Sequence, residues 1–98
     1  MGRKEREIPE HLSSKLREIR EKLGPDLSQS GLIALMGLTG ELSQDYISGF
    51  EHGLREPTLR VLLKYAKVAG VSTDVLIDDT LKLPAKLKSK RKREKRNI

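Results

Sequence analysis

The chain of 98 residues is long enough for one domain, and with 36% hydrophobic but only 3% aromatic residues its core must be aliphatic, which favours helices. It contains no cysteine, which excludes disulfides, thiolate zinc sites and a cysteine nucleophile. Its net charge is +6. The sequence contains no apolar run of about 18 residues and no apolar stretch after its charged first residues, so we expect neither a membrane span nor a secretory signal.

The first predicted element is a helix over residues 9–23, preceded by a charged arm of residues 1–8. Pro9 suits the first turn of a helix because it lacks the backbone donor that would remain unpaired there. Apolar residues then recur every three or four positions, which predicts one buried stripe formed by Leu12, Leu16, Ile19 and Leu23. Arg17 and Arg20 lie off this stripe, so we expect both to face water.

The second predicted helix begins at Ser28, whose side chain can cap it, and ends at Gly37, which can adopt a left-handed conformation. Its inward face would consist of Leu32, Ile33, Leu35 and Met36. Residues 38–41 follow as a longer loop or as an additional turn of helix.

The third predicted helix, over about residues 43–52, presents polar side chains from its first turn. Ser43 can cap the backbone donors of that turn, and Gly53 supplies a stop with positive φ. Ile47 and Phe50 form an apolar edge, which leaves the polar residues facing outward: Gln44, Asp45 and Ser48. A capped helix of this kind is typical of a DNA recognition helix.

The fourth predicted helix covers residues 59–69, with Thr58 as its cap and Gly70 as its end. Its broad apolar face would be formed by Leu59, Leu62, Leu63, Ala66 and Ala69. A short fifth helix over residues 73–78 contains three residues too apolar to be left in water: Val75, Leu76 and Ile77. We expect Leu81, Leu83 and Pro84 to lie along the surface.

The C-terminal end carries most of the positive charge. Residues 82–98 hold nine Lys or Arg and one Glu, a net charge of +8, which leaves −2 for residues 1–81. The sequence pI of about 9.8 therefore describes this end of the chain. Its low complexity predicts a disordered basic tail over residues 85–98.

Several short segments, taken in order, resemble the phage repressor and Cro family of helix-turn-helix regulators, also called the xenobiotic response element family. They are Leu-Arg-Glu-Ile-Arg at 16–20, Leu-Ser-Gln at 27–29, Tyr-Ile-Ser at 46–48, Glu51 and Gly53, Pro57, and residues 71–76. The resemblance implies an all-α, five-helix, lambda-repressor-like DNA-binding domain over residues 9–84. The 14 residues from Gln29 to Ser43 exceed the family's usual spacing, so the turn between the second and third helices should be enlarged.

In such a fold the first residues of the recognition helix enter the major groove of double-stranded DNA. Gln44, Asp45 and Ser48 hold these positions, so the resemblance implies that they read bases. The alternative is that they only solvate the helix surface, and Asp45 would also favour the helix dipole. Gly49 departs from the family, in which a long polar side chain is common here, and it costs a helix about 1 kcal/mol relative to alanine.

Contacts with DNA phosphates are implied for residues at the starts and ends of the same helices. Gln29 matches the glutamine that grips a phosphate in the family, with an exposed helix start as the alternative. Arg55 lies in the loop after the third helix, and His52 would cap that helix or contact the DNA backbone. Tyr46 would donate to a phosphate or pack its ring between helices.

The tail resembles a polycationic arm that binds phosphate without reading sequence. Its central basic residues are Lys90, Arg91, Lys92 and Arg93. The alternative is a tail that only solubilises the protein.

The family usually binds as a homodimer, whose two recognition helices lie one helical turn apart on the DNA. The candidate dimer interface consists of Val75, Leu76, Ile77 and Leu81. Internal packing is the alternative use of these residues.

We expect a transcriptional regulator, with repression favoured over activation, and no enzyme, no cofactor and no metal site. The sequence offers no combination of nucleophile, general base and orienting acid for catalysis. His11 and His52 lack partner residues that could complete a metal site. One rival is a protein-binding adaptor of the same fold, such as an antitoxin that binds a toxin or a bridging factor. A second is sequence-blind nucleic-acid binding led by the tail. The resemblance also implies a cytoplasmic, nucleoid-associated protein of bacterial or phage type.

Overall fold

The computed structural model describes residues 9–87, and these form five α-helices and no strand. The helices are α1 (Leu12–Leu23), α2 (Gln29–Leu35), α3 (Gln44–Glu51), α4 (Leu59–Ala69) and α5 (Thr73–Ile77). The all-helical class and the five elements predicted from the sequence are confirmed. Among the described residues, no helix has both the length and the apolar character that crossing a membrane requires.

The helix ends follow local chemistry, with one exception. Ser28 Oγ accepts from the Gly31 amide at 2.9 Å, and Thr58 Oγ1 accepts from the Val61 amide at 3.2 Å, as predicted. The glycines predicted to end helices have positive φ values of 74°, 74° and 73° at positions 37, 53 and 70. Within residues 9–87, however, the Ser43 side chain makes no capping hydrogen bond. The Ser43 carbonyl accepts the first hydrogen bonds of α3 instead.

The core is aliphatic and is built around α1, which packs against α3, α4 and α5. The predicted α1 stripe is buried: Leu12, Leu16, Ile19 and Leu23. Leu32, Ile33 and Met36 are buried as predicted, but Leu35 is exposed because it lies at the edge of the inward face of α2.

The predicted apolar face of α4 is rotated in the structure. Leu59 and Leu63 are 84% and 45% exposed, so their assignment to the core was wrong. The buried positions are Val61, Leu62, Tyr65, Ala66 and Ala69. Val61, Tyr65 and Ala69 recur at every fourth residue, which is the spacing of a single helix face.

The extra residues between α2 and α3 form a loop, one of the two predicted outcomes. Leu38 is 1% exposed and anchors the loop in the core, and its amide donates to the Ile33 carbonyl at 3.0 Å. Gly40 has a φ of +87°, a left-handed conformation that glycine adopts without strain. Glu41 forms an ion pair with Arg60 of α4 at 2.9 Å. The loop is therefore held against α4 rather than over the first turn of α3.

Candidate nucleic-acid interface

The first turn of α3 is exposed at one end of the bundle. Gln44 and Asp45 are exposed and Ser48 is half-buried. Ser30, in the first turn of α2, donates its hydroxyl to Gln44 Oε1 at 3.3 Å. This bond brings the starts of α2 and α3 together and leaves the amide hydrogens of Gln44 for another acceptor. Ser30 was not predicted, because no local pattern connects it with a residue 14 positions away.

Behind this surface, a buried ion pair joins α1 to the last residue of α3. Arg20 donates to the two oxygens of the Glu51 carboxylate at 2.7 and 3.0 Å, and the Glu51 side chain is only 2% exposed. The hydrogen bond with Glu51 raises the pKa of Arg20. Arg20 also donates to the Leu27 carbonyl at 2.8 Å. The prediction that Arg20 faces water was therefore wrong, and the ion pair with Glu51 braces α1 against α3.

Gln29 shares the same carboxylate. Its Nε2 donates to Glu51 Oε1 at 3.3 Å, and the residue is half-buried at the start of α2. One amide hydrogen is used in this bond, and the second remains for an acceptor such as a phosphate oxygen.

Arg55 lies across Gly49 and onto the ring of Tyr46. Its guanidinium carbon is 4.4 Å from the centroid of that ring, within the range of a cation–π interaction. Tyr46 in turn stacks on Phe50, with 6.4 Å between the ring centroids. A Cβ at position 49 would lie 2.8 Å from Arg55 Cδ and 2.9 Å from Arg55 Cγ. Gly49 therefore makes room for Arg55, which is a physical reason for its departure from the family pattern.

His52 follows the end of α3 and is exposed. Its Nδ1 lies 2.8 Å from the Ser48 carbonyl oxygen. A carbonyl can only accept, so Nδ1 carries the hydrogen and donates it. His52 thus caps the helix that contains Ser48, which is one of its two predicted uses.

The candidate dimer residues do not share one environment. Leu76 is fully buried, so the alternative of internal packing holds for this residue and it leaves the predicted interface. Ile77 and Leu81 are 44% and 39% exposed, and Val75 is half-buried. The predicted phosphate contacts of the tail, Lys90, Arg91, Lys92 and Arg93, lie outside the described residues.

These features define an all-helical fold in which two short helices, α2 and α3, present their starts side by side at one end. Residues 16–76, more than half of the chain, match the helix-turn-helix family, and the chain belongs to that family. It is a DNA-binding transcription regulator of the phage repressor and Cro type. Comparisons with curated proteins and with solved structures give no match.

Proposed function

We propose that the protein is a sequence-specific repressor that reads the major groove of double-stranded DNA with the first turn of α3. The observation that carries this proposal is the exposed pair Gln44 and Asp45, held beside the start of α2 by the Ser30 hydrogen bond. A glutamine amide can bond both N6 and N7 of an adenine, and an aspartate can accept from the amino group of a cytosine. Ser48, about one helical turn further along α3, is the third reader.

Phosphate contacts would flank this turn on both sides. Gln29 would use its second amide hydrogen, and Arg55 would offer the guanidinium edges that remain when its face is stacked on Tyr46. The Tyr46 hydroxyl is a further donor. His52 already donates its Nδ1 hydrogen to the Ser48 carbonyl, and Nε2 of that tautomer is an acceptor, so His52 offers no donor to a phosphate. Stacking restricts the motion of Arg55, so less entropy is lost when it binds.

We further propose that the protein binds as a homodimer. One module covers few base pairs, and two-fold-related modules one helical turn apart double the contacted surface. Ile77, Leu81 and the partly buried Val75 would form the contact.

Selection from random duplexes with the full chain tests sequence-specific reading. The Gln44→Ala variant should lose about 1–3 kcal/mol of discrimination at one base position. The matched control is Thr39→Ala, an exposed residue of the neighbouring loop, which should leave the selected sequence and the affinity unchanged. An unaltered preference in the Gln44→Ala variant would remove this residue from the reading role.

Truncation after Leu87 separates the rival functions, because it removes the basic end and keeps every described residue. Retained preference for the selected duplex supports the repressor. Loss of all binding supports tail-led, sequence-blind binding. If neither form binds duplex DNA, the protein-binding adaptor, with a partner such as a toxin, becomes the better explanation.

A further inference from the structure

The segment after α5, residues 78–87, is attached to the beginning of α1. The Asp79 carboxylate accepts from the backbone amides of Glu10 and His11, at 2.8 and 3.0 Å, just before the helix starts. One helical turn later, Lys15 donates its buried ammonium group to the carbonyls of Val75 and Asp78, at 2.7 and 3.0 Å. The start of the segment is therefore fixed at the first turns of α1.

The same segment is attached to the other end of α1. Lys22, in the last turn, donates to the Ala85 carbonyl at 2.7 Å. Lys15 and Lys22 are two turns apart and so lie on one face of the helix. Leu83 and Leu87 pack against the core beside that face. We call residues 78–87 the strap: it runs along α1 from its first turn to its last.

The lengths are consistent with this path. α1 contains 12 residues and is about 18 Å long. The six residue steps from Asp79 to Ala85 cover at most about 20 Å when the chain is extended. The strap begins with a turn, in which the Leu81 amide donates to the Asp78 carbonyl at 3.0 Å, and is long enough to carry the chain from one end of α1 to the other.

The end that the strap reaches is the end where α2 begins. After Lys22, α1 runs through Gly24 into the turn that precedes α2, and Arg20 holds the Leu27 carbonyl of that turn. Gln29 and Ser30 follow directly, and Ser30 contacts the first turn of α3. Leu87 and the start of α2 therefore lie at the same end of α1.

Eleven residues follow Leu87, and seven of them are Lys or Arg against one Glu. Residues 9–87, by contrast, contain ten basic and eleven acidic residues. An acidic domain gains little from non-specific attraction to DNA, whereas a cluster of cations releases counterions from the phosphates. Eleven residues span at most about 40 Å when fully extended. The point at which the chain leaves the described domain therefore limits which phosphates these cations can reach.

We propose that the strap is a positioning device, which directs the basic residues 88–98 to the DNA phosphates on the flank beside the start of α2. This inference rests on the proposed function, because it requires the recognition helix to be seated on a duplex. Without the strap, the same charges would leave the bundle near Asp78, at the opposite end of α1.

The absence of cysteine from the sequence allows a single-probe test. A Ser89→Cys variant of the full chain, labelled with an iron chelate that cleaves nearby DNA, is bound to the selected duplex. Asp26→Cys marks the turn before α2, and Ser14→Cys marks the beginning of α1; both positions are exposed. The Ser89 probe should cleave within the window of the Asp26 probe and outside that of the Ser14 probe.

A second variant releases the strap by combining Asp79→Ala with Lys22→Ala. Cleavage by the Ser89 probe inside the Asp26 window should then fall by about half, because lengthening a tether dilutes the group it carries. The Asp26 window itself should not move, which shows that the variant is folded and bound.

Two results would overturn the inference while leaving the proposed function intact. In one, the Ser89 probe cleaves away from the Asp26 window; in the other, strap release leaves its cleavage unchanged. If the Asp26 probe produces no sequence-dependent cleavage, the proposed function fails and this inference fails with it.

Discussion

Replacing Gly49 by alanine tests whether Arg55 is seated on α3. The new Cβ would lie 2.8, 2.9 and 3.3 Å from Cδ, Cγ and Cβ of Arg55. The stem of Arg55 cannot easily retreat, because its own amide and that of Leu54 donate to the Gly49 carbonyl, at 3.2 and 2.8 Å. The guanidinium would therefore have to leave the Tyr46 ring.

The two contributions to stability have opposite signs and similar size. Alanine in a helix interior is about 1 kcal/mol more favourable than glycine. Loss of a cation–π contact at an exposed site costs about 0.5–1 kcal/mol. The net change in the free energy of unfolding should be close to zero. In an Arg55→Ala background most of the obstruction is gone, so the same substitution should stabilise the protein by about 1 kcal/mol.

Urea denaturation of the four proteins in this double-mutant cycle measures the coupling, for which we expect about 1 kcal/mol. Thermal unfolding provides a second readout, since 1 kcal/mol corresponds to about 4–8 °C in a domain of this size. If Gly49→Ala stabilises the protein equally in both backgrounds, Arg55 does not occupy the space above Gly49 and the packing argument is refuted.

Three further predictions concern stability. Glu51→Ala should lower the free energy of unfolding, measured by urea denaturation, by about 3 kcal/mol. This value is at the lower end for breaking a buried ion pair, because Arg20 keeps some contact with water. A loss below about 1 kcal/mol would mean that the pair is open in solution. Hydrogen bonds from the backbone amides of His11 and Glu10 lower the pKa of Asp79 in the folded protein. The Asp79 carboxylate should therefore stabilise the fold above the ordinary carboxyl pKa, and this contribution should be lost as the pH falls through the lowered pKa of the folded state. Asp79→Asn should accordingly reduce the free energy of unfolding at neutral pH but not in acid. The Tyr65 hydroxyl is buried without a hydrogen-bond partner among the described residues, so Tyr65→Phe should be neutral or stabilising by about 1 kcal/mol, and a clear loss in thermal unfolding would reveal a partner.

The helices could be predicted because their ends depend on nearby residues. Ser28 and Thr58 bond to amides three positions along the chain, and Gly70 needs only its own left-handed conformation. The α1 stripe could be predicted for the same reason, since one helix period places its residues together.

The errors arose where a local pattern was ambiguous. α4 has apolar residues around most of its circumference, so the pattern does not specify which of them face the core. The prediction places Leu59 and Leu63 in the core, but Val61 and Tyr65 are buried instead. The reason is that packing against α1 and α5 sets the orientation of α4. Arg20 was misplaced in a related way, since its partner Glu51 lies 31 positions away.

In the candidate site, too, the features that depend on nearby residues could be predicted and those that depend on distant residues could not. Gln44 and Asp45 could be identified from their place in the first turn of a helix. Gly49 could be recognised only as an unfavourable residue, because its use depends on a side chain from the following loop. The strap could not be predicted either, since Asp79 and His11 are separated by 68 positions and no periodicity connects them.

The buried ion pair is better explained by geometry than by stability. An apolar pair of similar volume would bury the same surface without the desolvation cost of two charges, so Arg20 and Glu51 are not required for a stable core. An apolar pair, however, would not fix the orientation of α3 by directional hydrogen bonds. The Glu51 carboxylate, at the last residue of α3, binds both Arg20 of α1 and Gln29 of α2. Gln44, at the first turn, lies about 10 Å along the helix from that point. A tilt of ten degrees about Glu51 would move Gln44 by about 2 Å, which exceeds the tolerance of a hydrogen bond to a base. The orientation of the proposed reading turn is therefore controlled from the opposite end of α3, where the Glu51 carboxylate is shielded from water.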